Sequence, residues 1–135
     1  MYSIEAEGAH EAPTFDRNRS QEYVAAEVRG LRNAVRVLEI ANYGKHEIQG
    51  PGARDFLARV LAGHLPATGR VTLSPMLTPK GKLYGDLTIA RVDDAHYLIL
   101  GSGAAQEMHR RWFERHLPAQ GVTYRNASDA LHGVA

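Results

Sequence analysis

The sequence predicts an α+β domain in which helices pack on an antiparallel sheet, in the order α-ββ-α-βββ-α-β. Apolar residues recur at helical spacing in separate stretches, first at Val24, Val28, Leu31 and Val35. Strand-like runs "RVTLSPML", "KLYGDLTIARV" and "HYLILGS" then follow one another with only short polar connections. Those connections, Thr78-Pro79-Lys80-Gly81 and Asp93-Asp94-Ala95, have hairpin length and composition, so the runs read as an antiparallel meander.

Residues 1–19 are polar, hold Gly8 and Pro13, and read as an extended arm; residues 20–135 read as the domain. The first helix opens at Ser20, a suitable N-cap. "VLEIANYGKHEIQG" then reads as two short strands, with Leu38, Ile40 and Ile48 at strand positions and a turn or bulge at Asn42-Tyr43-Gly44. Pro51 opens a helix whose apolar face is Phe56, Leu57, Val60 and Leu61 and which ends at Gly63. After the meander, Ala104 to Leu117 is helical, with Met108, Trp112 and Phe113 on one side and Arg110, Arg111, Glu114 and Arg115 on the other. Pro118 stops it, and "GVTYRNAS" is a final strand.

A chain of 135 residues makes one ordinary domain with a sizeable core. The absence of cysteine excludes disulfides, thiolate metal sites and cysteine nucleophiles, and it suits a reducing compartment, taken here as the cytoplasm. A net charge of +1 gives no electrostatic drive toward nucleic acid or a membrane surface. No apolar run reaches spanning length, and the N-terminal stretch lacks the apolar core of a signal peptide.

The chemistry centres on Asp86, an acid inside a strand that is otherwise turning apolar. Alternation puts Leu83, Leu87 and Ile89 on one face and Tyr84, Asp86, Thr88 and Ala90 on the other. The acid either faces water or, beside an aromatic ring, hydrogen-bonds a flat heterocycle; Gly85 permits close approach of another group. The seven histidines show no metal-ligand spacing and read mostly as surface residues. "GSGAAQ", Gly101 to Gln106, could hold an anion or ring on backbone amides, but it lacks the third glycine of a dinucleotide fingerprint and the lysine of a P-loop. Trp112 reads as core.

Three landmarks resemble the folate-binding aminomethyltransferase family, which includes the T-protein of the glycine cleavage system and the folate domains of dimethylglycine and sarcosine dehydrogenases. They are "EIANYGKHEIQGPGARDFLARVL", "LTPKGKLYGDLTIARV" and "HYLILGSGAAQEMHRRWF". The likeness runs from about Pro13 to Ser128, and "MLTPKGKLYGDLT" and "RWFERHLP" are closer to the dehydrogenase branch. It implies the first part of a T-protein-like fold, with tetrahydrofolate as cofactor. By matched position Asp86 is the acid beside folate N5 that one-carbon transfer requires. Tyr84 would wall the pterin pocket, with Leu77 and Ser102 nearby. In the family a second pterin-binding acid and arginines come from later sequence, so the resemblance implies half a pocket. It also implies partners: folate, a flavin-dependent amine dehydrogenase or a subunit carrying the remaining folate domain, or a second copy by self-association. A non-catalytic remnant or interaction module on the same fold is the alternative.

Overall fold

The computed structural model describes residues 15–17 and 20–135, so the expected arm lies almost wholly outside the described residues. Residues 1–38 and 39–135 form two compact units. In the first, helix α1 spans Ser20–Asn33, with Glu22 in its first turn and Arg32 in its last, charges that complement the helix dipole. Its Ala26, Gly30 and Leu31 line a shallow groove with Val37 and Leu38.

The second unit carries the sheet. Strand β1 (Tyr43–Gln49) leads into helix α2 (Ala53–Val60). The meander follows as β2 (Val71–Leu77), β3 (Leu83–Arg91) and β4 (His96–Ser102). A 3₁₀ turn at Gly103–Ala105 opens helix α3 (Gln106–His116), and β5 (Thr123–Asn126) closes the sheet. The strand order is β2-β3-β4-β1-β5, and every pairing is antiparallel. The expected α+β class therefore holds, with one element changed. The first of the two short strands shrinks to an isolated bridge, Glu39 to Val134. Asn42-Tyr43-Gly44 does not turn, because Tyr43 and Gly44 already pair with Ser102 and Gly101 of β4.

Both helices of this unit cover the same side of the sheet. Ala53, Phe56, Leu57 and Val60 of α2 and Phe113 of α3 are buried against Ile48, Met76, Leu87, Ile89, Tyr97 and Ile99. Phe56 and Phe113 meet with ring centroids 6.5 Å apart. Fully burying side chains of this size stabilises by roughly 1.5–3 kcal/mol each, which makes this layer the main source of stability. The other side of the sheet is open: Val71, Leu73 and Leu83 are exposed there. Pro75 sits on the edge strand β2, where its missing N–H costs no ladder bond, and its carbonyl accepts the Ala62 N–H at 2.9 Å.

Candidate functional site

A β-bulge decides which side chains surround Asp86. Met76 pairs with Gly85, but Leu77 pairs with Leu83, so Tyr84 is one extra residue in β3. The extra residue reverses the alternation at the start of the strand. Leu83 moves to the open side, 66% exposed, instead of joining Leu87 and Ile89. Tyr84 moves the other way and packs on Trp112 of α3, ring centroids 4.6 Å apart. The shared face of Tyr84 and Asp86 expected from simple alternation is thus corrected. Of the four residues singled out, Leu77, Asp86 and Ser102 lie on the open side, and Tyr84 does not.

The sheet also splits at this point. The β3–β4 ladder ends at the pair Thr88–Leu100. Beyond it β3 stays with β2, through Asp86–Pro75 and Gly85–Met76, while β4 stays with β1, through Gly101–Gly44 and Ser102–Tyr43. Continuing the register would set Asp86 opposite Ser102, across the gap. Asp86 is exposed and makes no hydrogen bond or ion pair with the described residues. Its carboxylate is an unused acceptor between Pro75 on one side and the gap on the other. Ser102 is exposed and Leu77 half-buried.

Beneath the split lies a buried polar layer that pattern reading missed. Against a reading of the histidines as mostly surface residues, His46 and His109 are fully buried, with ring centroids 6.0 Å apart in an edge arrangement. His46 Nδ1 lies 2.9 Å from the Tyr124 hydroxyl. Among the described residues, His46 Nε2, both nitrogens of His109 and Trp112 Nε1 are buried with no partner in hydrogen-bond geometry, as is the Tyr97 hydroxyl farther along β4. Burial, aided by the neighbouring His109, pulls the His46 pKa down to about 4. Burial also lowers that of His109, only partly offset by the nearby Tyr84 backbone. Both rings are neutral at pH 7. The available signal was Gly85 and Gly101: a Cβ on Gly85 would lie 2.8 Å from His109 Nε2, and one on Gly101 2.9 Å from its Nδ1. The close approach that Gly85 permits is that of His109 from the covered side.

Further polar features lie elsewhere. Lys45 is 5% exposed, and its ammonium donates to the carbonyls of Ala41, Tyr43 and Ser128 at 2.7, 3.0 and 3.3 Å. Next to these residues, Glu39, Ala41, Asn42, Ser128, Asp129 and His132 line a cavity of about 500 Å³. Glu47 accepts from Arg125 at 2.7 Å and pairs with His96 at 2.8 Å. Neither the cavity beside Glu47 nor that beside Glu39 is lined by Asp86. Among the described residues no group of three or more His, Asp or Glu is placed to hold a metal, and no helix is long and apolar enough to cross a membrane.

Residues 2–135 match the family model described as "GCVT N-terminal domain". The chain belongs to this family. It is 31% identical to human mitochondrial dimethylglycine dehydrogenase over 122 residues, covering 88% of this chain and 14% of that protein. It is 26% identical to the aminomethyltransferase of Chloroherpeton thalassium over 114 residues, covering 83% of this chain and 32% of that protein. The fold matches the crystal structure of glycine cleavage system aminomethyltransferase T from Bartonella henselae, with a TM-score of 0.60 over 65% of this chain and 25% of that one, at 17% identity. This member of the GCVT N-terminal domain family thus spans no more than about a third of the length of these relatives.

Proposed function

We propose that the chain binds a reduced folate, tetrahydrofolate, on the open side of its sheet and supports aminomethyltransferase-type one-carbon transfer there. The observation that carries this reading is the exposed, unpartnered Asp86 carboxylate beside the β3–β4 split, with Leu77 and Ser102 on the same side, in a chain of the GCVT N-terminal domain family. These residues fit such a ligand. A carboxylate that accepts no internal hydrogen bond can accept from ring N–H groups, and Leu77 and Pro75 offer apolar contact to a flat ring.

Bound folate would supply the nitrogen that receives the one-carbon unit. Asp86 would hold or accept the proton that this nitrogen loses and stabilise positive charge developing near it. Ser102 would contribute a hydroxyl from across the gap, and Leu77 would exclude water from one flank. Tyr84, turned to the covered side, would shape the pocket through the bulge instead of stacking on the ligand.

The open side is apolar beside Asp86, at Leu73 and Leu83, and farther along β2 at Val71. This favours completion of the pocket by further protein. The occupant would be a flavin-dependent amine dehydrogenase, a subunit with the remaining folate domain, or a second copy. The same exposed face also favours the alternative, a non-catalytic interaction module. The lack of cysteine is compatible with the cytoplasm and equally with another reducing compartment.

Calorimetric titration with tetrahydrofolate under anaerobic conditions, which keeps the N5 proton that Asp86 would accept, tests the reading. Saturable heat that Asp86→Asn weakens about tenfold or more supports it, the scale expected for a lost charge-assisted hydrogen bond. No heat at millimolar ligand overturns folate binding by this chain and leaves the interaction module.

A further inference from the structure

The β3–β4 split does not stand open to the covered side. The His109 ring of α3 fills it from below, touching the backbone of both strands where they part. Gly85, on β3, directly precedes Asp86, and Gly101, on β4, directly precedes Ser102. A side chain at either glycine would collide with the ring, so the ring lies close under both strand ends. His109 is 1% exposed, and among the described residues neither ring nitrogen has a partner in hydrogen-bond geometry, the Tyr84 backbone lying near it without closing a bond. A buried polar ring without bonds costs stability that an apolar side chain would not. What the ring offers at this place is its shape and its position under the two glycines.

We propose that His109 is a positioning residue for the site on the open side: wedged between Gly85 and Gly101, its ring sets the gap between β3 and β4 and so the separation of Asp86 from Ser102. The identity of the ligand between them rests on the folate reading above, but the positioning does not. A planar ring spaces the strands by a fixed amount, whereas Leu or Met would repack. The groups facing the wedge are His46 from β1, the Tyr84 backbone and the Leu87 and Met76 side chains from the sheet, and Glu107, which lies on α3 itself and acts on His46. His46 and His109 lie close enough that charging one opposes charging the other.

The test uses the full chain and reads position apart from binding. Backbone amide resonances of Asp86 and Ser102 are compared without ligand in wild type, His109→Ala, Gly85→Ala and the Gly85→Ala/His109→Ala pair. The expected result is displaced Asp86 and Ser102 signals in both single variants and partial return in the pair, since the added methyl then enters the space the ring has left. In anaerobic calorimetry with tetrahydrofolate the single variants bind about tenfold or more weakly, and the pair recovers part of that loss. Unmoved amides in His109→Ala, or a pair no better than either single variant, overturn the proposal. If wild type binds no reduced folate, the folate reading fails and the amide comparison still decides the positioning. If His109→Ala does not fold, His109→Gln takes its place; a chain that folds with neither residue assigns His109 to stability alone and overturns the proposal.

Discussion

Nδ1 of His46 and the hydroxyl of Tyr124 lie 2.9 Å apart across the β1–β5 pair, with His46 fully buried and Tyr124 half-buried. This contact ties the edge strand to the core through a ring that must remain neutral. Burial also pushes the Tyr124 hydroxyl well above the usual tyrosine range, so it keeps its proton.

Stability should therefore fall with acid. The folded pKa of His46 is about 4 against an ordinary value of 6.5, so the unfolded chain binds the extra proton first. The contribution is fully present above pH 6.5 and is lost as pH falls through about 4. Its size is on the order of 3 kcal/mol. Thermal denaturation at pH 7 and pH 4.5 should show a clear loss of Tm that His46→Phe reduces. An unchanged pH dependence in His46→Phe would assign the acid sensitivity to other groups.

Asp86→Asn should leave Tm within about a degree, because an exposed side chain with no partner contributes little to stability. In any assembly that performs one-carbon transfer, the rate should fall roughly a hundred- to ten-thousand-fold. Wild-type transfer rates in the variant would remove Asp86 from the mechanism.

Lys45→Met should destabilise by about 2–3 kcal/mol, since three carbonyls lose a charged donor and stay partly buried. Urea denaturation measures this. The contact of Lys45 with Ser128 should make the C-terminal segment the first to gain hydrogen exchange.

Phe113→Ala should cost about 3–5 kcal/mol, because the ring sits fully buried between Phe56, His46 and Tyr124. Chemical denaturation that changes by less than 1 kcal/mol would mean the core there can collapse.

Leu73→Lys tests the open face. If the chain self-associates through it, sedimentation of the wild type should be concentration-dependent, and the substitution at this exposed position should shift the equilibrium to monomer. Identical sedimentation of both would place the contact elsewhere.

Much of the fold was legible because period and punctuation agreed. Strands β2, β3 and β4 alternate between turn residues, and α2 shows Phe56, Leu57 and Val60 on one face. The strand expected near Leu38 and Ile40 failed for want of a neighbour: only Glu39 finds a bridge, to Val134 at the far end of the chain. At the candidate site, Asp86 stood out as an acid in a strand, and the Gly85 beside it marked a close approach. Which face each residue takes was not legible, because a single extra residue reverses a period of two. Nothing in the run "KLYGDLT" says that Tyr84 is that residue; pairing with β2 decides it.

The sequence by itself determined the α+β class, the meander, the helix faces and the acid, since these follow from local spacing and turn chemistry. Only the tertiary structure decided that Tyr84 turns to Trp112, that β3 and β4 part beyond Thr88 and Leu100, and that two histidines lie buried beneath the parting. These outcomes depend on register between distant strands and on which helix covers them, and no local pattern encodes either.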